Sequence, residues 1–270
     1  MPPPDTKLNK DLAQQLAAAA QKLVSDDYVR ERRYPPQTSR IYLNSLDLCE
    51  AIRQFGSSEK IRILDYGCGG SPYRDFFPNS EYVRADFTPC QGLDFLLPEA
   101  DSSIPVDDGS FDLVLSTQVL EHVAEPAHYV AECFRVLKPG GHLLLTTHGL
   151  LMGEHGCPYD FQRWTADGLR LLLERAGFRI KETKKLTCGA RAICHVIINC
   201  LWLLQAPKWT LFGFATGVLR RLHRLNPAWL NRCAEKYFNK FGIMDAAVDD
   251  NEDQKRDYIC LLVQGERPSD

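Results

Sequence analysis

The stretch ILDYGCGGSPY, residues 63–73, runs from an apolar strand signal straight into a glycine cluster, with one carboxylate, Asp65, at the junction. Glycines after a strand let backbone N–H groups approach a ligand closely. A dinucleotide fingerprint would need a third glycine where Pro72 stands, and proline has no N–H to offer a pyrophosphate. A carboxylate at the strand tip also repels a pyrophosphate and suits a cation. The loop therefore asks for a ligand that is cationic at the end facing it.

Working outward, short apolar runs alternate with helical patterns. IRIL (61–64), EYVRAD (81–86), LDFLL (93–97), FDLVLS (111–116) and HLLLTT (142–147) read as strands, and HYVAECFRVL (128–137) and ADGLRLLLERAGF (166–178) as helices. That alternation predicts βαβ units around a parallel sheet. Lys138-Pro139-Gly140-Gly141 closes one helix and opens a strand, Thr165 can cap the next helix, and Ala176-Gly177 ends it. Helical patterns at 8–24 and about 39–55 come first, residues from 189 to 253 are irregular and helical, and DYICLLVQ (257–264) is a closing strand signal. The expected division is an N-terminal helical extension (1–58), a core (59–188), a helical insertion acting as cap or dimer surface (189–253), and a final core strand with tail (254–270).

With 270 residues, 44% of them hydrophobic, the chain can bury a sizeable core, and its net charge of −3 argues against a generally basic nucleic-acid surface. Ten cysteines without a C-x-x-C pair, and no charged leader followed by an apolar run, lead to the expectation of a reduced, cytoplasmic protein. The longest apolar run, residues 192–204, contains His195 and Asn199 and is shorter than the roughly 20 residues a bilayer span needs. It reads as a packed helix.

Asp86 ends the second strand 19 residues after Gly67, where an acid can accept both hydroxyls of a ribose. NAD and S-adenosylmethionine share that requirement, but only the latter adds an ammonium and a sulfonium; Asp65 and Pro72 disfavour a nicotinamide enzyme. In ILDYGCGGSPY, the acid of RADF, IPVDDGSFDLVLSTQVLEHV (104–123) and FRVLKPGGHLLLTTHG (134–149), the chain resembles the class I S-adenosylmethionine-dependent methyltransferases, specifically the type 11 methyltransferase domain, over about residues 60–180. The resemblance implies a Rossmann-like α/β fold with a seven-stranded sheet whose last strand, DYICLLVQ, enters antiparallel. It also implies that Asp65, Gly67, Cys68 and Gly69 cradle the methionine end, Asp86 holds the ribose, Phe87 flanks the adenine, and Glu99, Asp101 or Ser102 meets the adenine edge, with Gln118 on the cofactor side after the fourth strand.

Methyl transfer from a sulfonium is an in-line displacement, so much of the catalysis is positioning, and a base helps only if the acceptor must lose a proton. A parallel sheet binds ligands at the carboxyl ends of its strands, which makes His148, just beyond HLLLTT, the best placed base; otherwise its ring only fixes the loop. His122 reads as a packing or hydrogen-bonding residue. PYDFQRWT (158–165) resembles the D-x-x-R-W/F-T element of methyltransferases encoded with glycan genes. There Asp160 meets a sugar hydroxyl or acts as a second base, Arg163 binds an anionic acceptor and Trp164 stacks on a ring, with His155 and Tyr159 beside them. The plainer reading is a helix start with Thr165 capping and Trp164 buried.

No metal is assigned. A competing resemblance, to metal-dependent small-RNA terminal 2′-O-methyltransferases, places Gln118, Glu121, His122 and Asp160 at the ligand positions, and Gln118 removes one charge from that set. Residues 209–225, WTLFGFATGVLRRLHRL, join aromatics to Arg220, Arg221 and Arg224, giving either peripheral membrane contact with a lipid-linked acceptor or a helical cap with basic residues in water. The expectation is an S-adenosylmethionine-dependent O-methyltransferase of a small-molecule or glycan-like acceptor, homodimeric if the insertion is a dimer surface and without a nucleic-acid partner. The alternative is a cofactor-binding scaffold without turnover.

Overall fold

The computed structural model describes residues 25–98, 103–155, 159–203, 227–245 and 257–269. The helical pattern at 8–24, the adenine-edge candidates Glu99, Asp101 and Ser102, and the aromatic and basic run 209–225 lie outside the described residues.

The run that opened the sequence forms β1 (Arg62–Tyr66), which pairs in parallel with β2 (Glu81–Asp86) on one side and β4 (Phe111–Thr117) on the other. Beyond β2 lies the two-residue β3 (Phe95–Leu96), and beyond β4 comes β5 (Leu137–His148). β8 (Tyr258–Glu266) is then inserted antiparallel between β5 and β6 (Arg179–Cys188), and β7 (Ile243–Asp245) closes the far edge. The order is β3-β2-β1-β4-β5-β8-β6-β7, the expected class with its antiparallel closing strand. It has eight strands and not seven, because β7 arises in a segment expected to be helical.

Period-two alternation sends each strand's side chains to opposite faces. Leu64, Leu143, Leu145, Leu261 and Val263 join one buried cluster, while Ile63, Leu144, Cys260 and Leu262 join the other. The first cluster is covered by α3 (Pro126–Val136) and α4 (Ala166–Arg175), which contribute Tyr129, Cys133, Leu169 and Leu173. The second is covered by α2 (Tyr42–Arg53) and α5 (Gly189–Leu203), through Leu48, Ile52 and Ala192. Thr165 caps α4 by accepting the Gly168 N–H at 3.1 Å, as its position in the sequence suggests.

Two further helices, α1 (Asp26–Arg33) and α6 (Pro227–Tyr237), pack at the ends of the second layer. A buried ion pair ties that layer together: Arg191 on α5 donates to both oxygens of Asp47 on α2, at 2.8 and 2.6 Å, and Thr187 Oγ1 adds a third bond at 2.7 Å. The apolar run 192–204 is thus mostly a helix packed on the sheet. No described helix is long and apolar enough to cross a membrane.

Candidate active site

The carboxyl ends of β1, β2, β4 and β5 open onto one cleft. After Tyr66 the chain turns at Gly67, whose φ is 75°, and a Cβ there would lie 2.5 Å from Val119 Cγ2. Only glycine satisfies both demands. The loop is stitched to the tip of β2: Gly67 and Cys68 donate to the Ala85 carbonyl at 2.8 and 3.2 Å, and Gly69 N–H donates to Asp86 Oδ2 at 2.7 Å. Asp86 Oδ1 accepts the Thr88 N–H at 2.7 Å, and burial raises its pKa above the ordinary carboxylate value. Gly67, Cys68, Gly69, Asp86, Phe87 and Gln118, six residues expected from the sequence, all line the cleft. Burial pushes the Cys68 thiol up, which leaves it unreactive.

Asp65 departs from the expected picture. It is buried beneath the glycine loop, accepts the Tyr82 hydroxyl at 2.8 Å, and has its pKa raised to about 6 by that burial. Its charge reaches a ligand through the loop and not by lining the cleft. The sequence reading also missed Tyr28 and Arg32, which line the cleft from α1. Arg32 donates to the Tyr28 hydroxyl at 2.5 Å, and its Nε has no partner among the described residues. The spacing of four residues that puts both side chains on one helix face is the only signal that could have found them.

The opposite end of the cleft is an imidazole cluster. A helical turn after β4, Leu120–His122, buries Glu121 completely and brings His122 to the cleft wall. Glu121 Oε2 accepts Thr147 Oγ1 at 2.9 Å, while Oε1 lies 3.1 Å from Nδ1 of His148 at the end of β5. That approach is misaligned, so neither atom has a hydrogen-bond partner among the described residues. His155, its side chain 42% exposed, stands over both rings, with centroids 4.7 Å from His148 and 5.1 Å from His122. Burial, more than the neighbouring His155, holds His148 far below the usual histidine range. Burial and then His122 lower His155 to about 4. His155 lines the cleft and His148 stands behind it.

The segment after β5 is a clamp. Arg163 donates from both terminal nitrogens to the Asp160 carboxylate and also to the carbonyls of Met152 and Gly153, each at 2.9 Å. Burial works against the charge on Asp160, but the bonds from Arg163 hold its pKa below the ordinary value, which makes it a weak base. Asp160 also accepts the backbone N–H of His155 at 2.8 Å. Asp160 and Arg163 therefore shape the loop that carries His155, and the anion-binding and proton-accepting roles considered from the sequence do not fit their pairing. Trp164 is partly buried against the main core and its backbone N–H donates to the His148 carbonyl at 3.0 Å, an arrangement close to the plainer reading. Tyr159 and Phe161 are 55% and 50% exposed, their rings 5.5 Å apart, and the Tyr159 carbonyl accepts His122 Nδ1 at 2.5 Å. Phe161 was not anticipated.

Residues 64–145, the span from β1 to β5 that builds most of this cleft, match the family model of a methyltransferase domain. The chain carries a class I S-adenosylmethionine-dependent methyltransferase domain. The methyltransferase domain is 37% identical over 94 residues to an S-adenosylmethionine-dependent methyltransferase of Mycolicibacterium smegmatis, covering 33% of this chain and 37% of that protein. It is 34% identical over 107 residues to the ubiquinone biosynthesis O-methyltransferase of Maricaulis maris, covering 33% of this chain and 41% of the relative. The chain thus spans less than half the length of these two relatives. Among solved structures, an S-adenosylmethionine-dependent methyltransferase from Thermotoga maritima covers 89% of this chain at 13% identity with a TM-score of 0.50. A chain of the complex between the Haloferax volcanii Trm112 methyltransferase activator and a methyltransferase covers 94% at 18% identity with a TM-score of 0.52. At these identities the likeness is one of fold. S-adenosylmethionine is the cofactor of such methyltransferases. The residues present suit it: a carboxylate at the tip of β2, a loop of close-packed glycines, and a buried negative charge beneath them.

Proposed function

We propose that the protein moves a methyl group from S-adenosylmethionine to an oxygen of a small acceptor carrying an aromatic or sugar ring. The observation that carries this reading is the continuity of the cleft from Asp86 and the glycine loop, past Gln118, to His122 and His155. In the proposed arrangement Asp86 takes the ribose hydroxyls, Phe87 flanks the adenine, and Gly67 to Gly69 face the methionine. Arg32, a cation without a carboxylate partner among the described residues, meets the cofactor's carboxylate. The exposed Tyr159 and Phe161 rings form the rim that an acceptor ring crosses, an apolar surface beside a polar floor. The 27% identity over 186 residues to the ubiquinone biosynthesis O-methyltransferase of Parvibaculum lavamentivorans supports oxygen as the target.

The acceptor oxygen displaces the sulfur in line, and its proton is drawn off at the Glu121, His148 and His155 end. Burial keeps both imidazoles neutral, with lone pairs free but weakly basic. Calorimetry is expected to show binding of S-adenosylmethionine and S-adenosylhomocysteine without competition by NAD. Labelled-methyl transfer to a panel of phenols, sugars and RNA ends is expected to select a hydroxyl acceptor of the first two kinds, and His148→Ala should lower that turnover about 10²–10⁴-fold with cofactor affinity unchanged. Cofactor binding without transfer to any member would favour the scaffold reading, and transfer to RNA ends alone would overturn the acceptor class.

A further inference from the structure

We propose that Glu121, His148 and His155 hold one divalent transition-metal ion at the acceptor end of the cleft. Its role rests on the methyl-transfer reading; its presence rests on geometry alone. One carboxylate oxygen and one nitrogen from each imidazole lie within 4.8 Å of one another. They arrive from three separate segments: the turn after β4, the end of β5, and the loop that follows.

The unpartnered atoms are the second observation. Glu121 Oε1 and His148 Nδ1 are buried, 3.1 Å apart and not hydrogen-bonded. Each buried polar atom left unmatched costs about 1–3 kcal/mol, and a cation between them satisfies both. Bonds of about 2.1 Å in a tetrahedral site set ligand atoms about 3.4 Å apart. The pair at 3.1 Å already meets that distance. His155 has at most about 1.4 Å to close, a shift open to a side chain that is 42% exposed.

Two further contacts orient the ligands. Thr147 Oγ1 donates to the other oxygen of Glu121 at 2.9 Å, and Asp160 Oδ2 lies 3.3 Å from His155 Nδ1. Metal-bound imidazoles and carboxylates regularly carry such partners. Two nitrogens and one carboxylate oxygen suit Zn²⁺, Mn²⁺, Fe²⁺ or Co²⁺ better than the all-oxygen cages of Mg²⁺ and Ca²⁺.

The set differs from the one implied by the small-RNA methyltransferase resemblance and shares only Glu121 with it. Gln118 spends its amide on Thr146 Oγ1 at 3.2 Å and on Cys260, and His122 Nδ1 is taken by the Tyr159 carbonyl. An ion held by Glu121, His148 and His155 would act as a Lewis acid, lowering the pKa of an acceptor hydroxyl beside it so that the proton could leave to water. The new C–O bond then forms as the C–S bond breaks, and the bonding pair leaves on sulfur to give S-adenosylhomocysteine.

The test strips the purified full chain with a chelator, dialyses it against Zn²⁺, Mn²⁺ or Co²⁺, and counts bound metal by mass spectrometry. Visible absorption of the Co²⁺ form reports coordination directly. About one ion per chain is expected, lost in Glu121→Gln; should that buried substitution disturb folding, His155→Ala, at a more exposed position, is expected to lose the ion while circular dichroism and S-adenosylhomocysteine binding remain. A wild-type chain that takes up none of the three ions, or a folded His155→Ala that holds as much metal as the wild type, overturns the proposal. Turnover that persists in chelator with no ion bound overturns the ion's role in the reaction but leaves methyl transfer standing, whereas an ion bound by a chain that never binds S-adenosylmethionine supports the metal site and sinks the methyl-transfer reading.

Discussion

Asp86 fixes the glycine loop through the Gly69 N–H and lines the cleft, and in the proposed arrangement it also takes the ribose hydroxyls. Asp86→Ala is therefore expected to weaken S-adenosylmethionine binding by about 1.5–3 kcal/mol, read by calorimetry, and unchanged affinity would mean the ribose is held elsewhere. Asp65 makes a different prediction. Its folded-state pKa, raised to about 6, means that the folded chain binds its proton more tightly than the unfolded one does. The stability this contributes is full below the unfolded value of about 3.9 and is lost as pH rises through about 6. Urea titrations of wild type and Asp65→Asn across that window should show the wild type losing about 2–3 kcal/mol relative to the variant; parallel curves would refute the shift. Both aspartates were legible in the sequence because strand, glycines and acid lie close together along the chain. The depth of Asp65 was not, because it depends on Tyr82 from the next strand. The pairing of Asp160 with Arg163 was hidden for another reason: spacing marks two charged residues as neighbours without saying whether they satisfy each other or a ligand.

At the scale of elements, the strands of the parallel half were read with small errors, each with a local cause. The LDFLL signal shrinks to the two residues of β3 because Asp94 turns its carboxylate onto the Arg84 N–H at 2.8 Å, replacing a ladder bond with a side-chain one. VLEHV, helical in pattern, makes only one turn, long enough to set Glu121 and His122 on different sides. β7 carried no legible signal, since three residues show no period. The place of α1 at the cleft, where Arg32 is proposed to meet the cofactor, was also hidden, because its contacts come from packing over the cleft. It has eight residues, none of them fully buried, and is tied down by the Arg33–Asp75 ion pair and the Cys49 thiol on the Arg33 carbonyl. Arg32→Ala is expected to cost about 1.5–3 kcal/mol in S-adenosylmethionine affinity. It should cost much less for an analogue lacking the methionine carboxylate; an equal loss for both ligands would remove Arg32 from the carboxylate.

Across the whole molecule, the sheet separates two kinds of work. The parallel side, β1 to β5, presents loops to the cleft, while no residue of β6 or β7 lines it and β8 reaches its wall through the Cys260 contact to Gln118. Saturating S-adenosylhomocysteine should therefore slow amide exchange in residues 26–33 and 67–73 and leave β6 and β7 unchanged, as followed by mass spectrometry. Uniform protection of the whole sheet would point to a global stiffening in place of a covered cleft. The antiparallel insertion of β8 has a further consequence, in the order of manufacture. β5 and β6 are synthesised well before residues 258–266, yet each needs that strand as its neighbour. A nascent chain must hold two open strand flanks apart until the missing piece emerges, and only then can the sheet close. A chain interrupted before Tyr258 is consequently not a shortened enzyme but a pair of adhesive edges, the kind of product that chaperones retain and proteases remove.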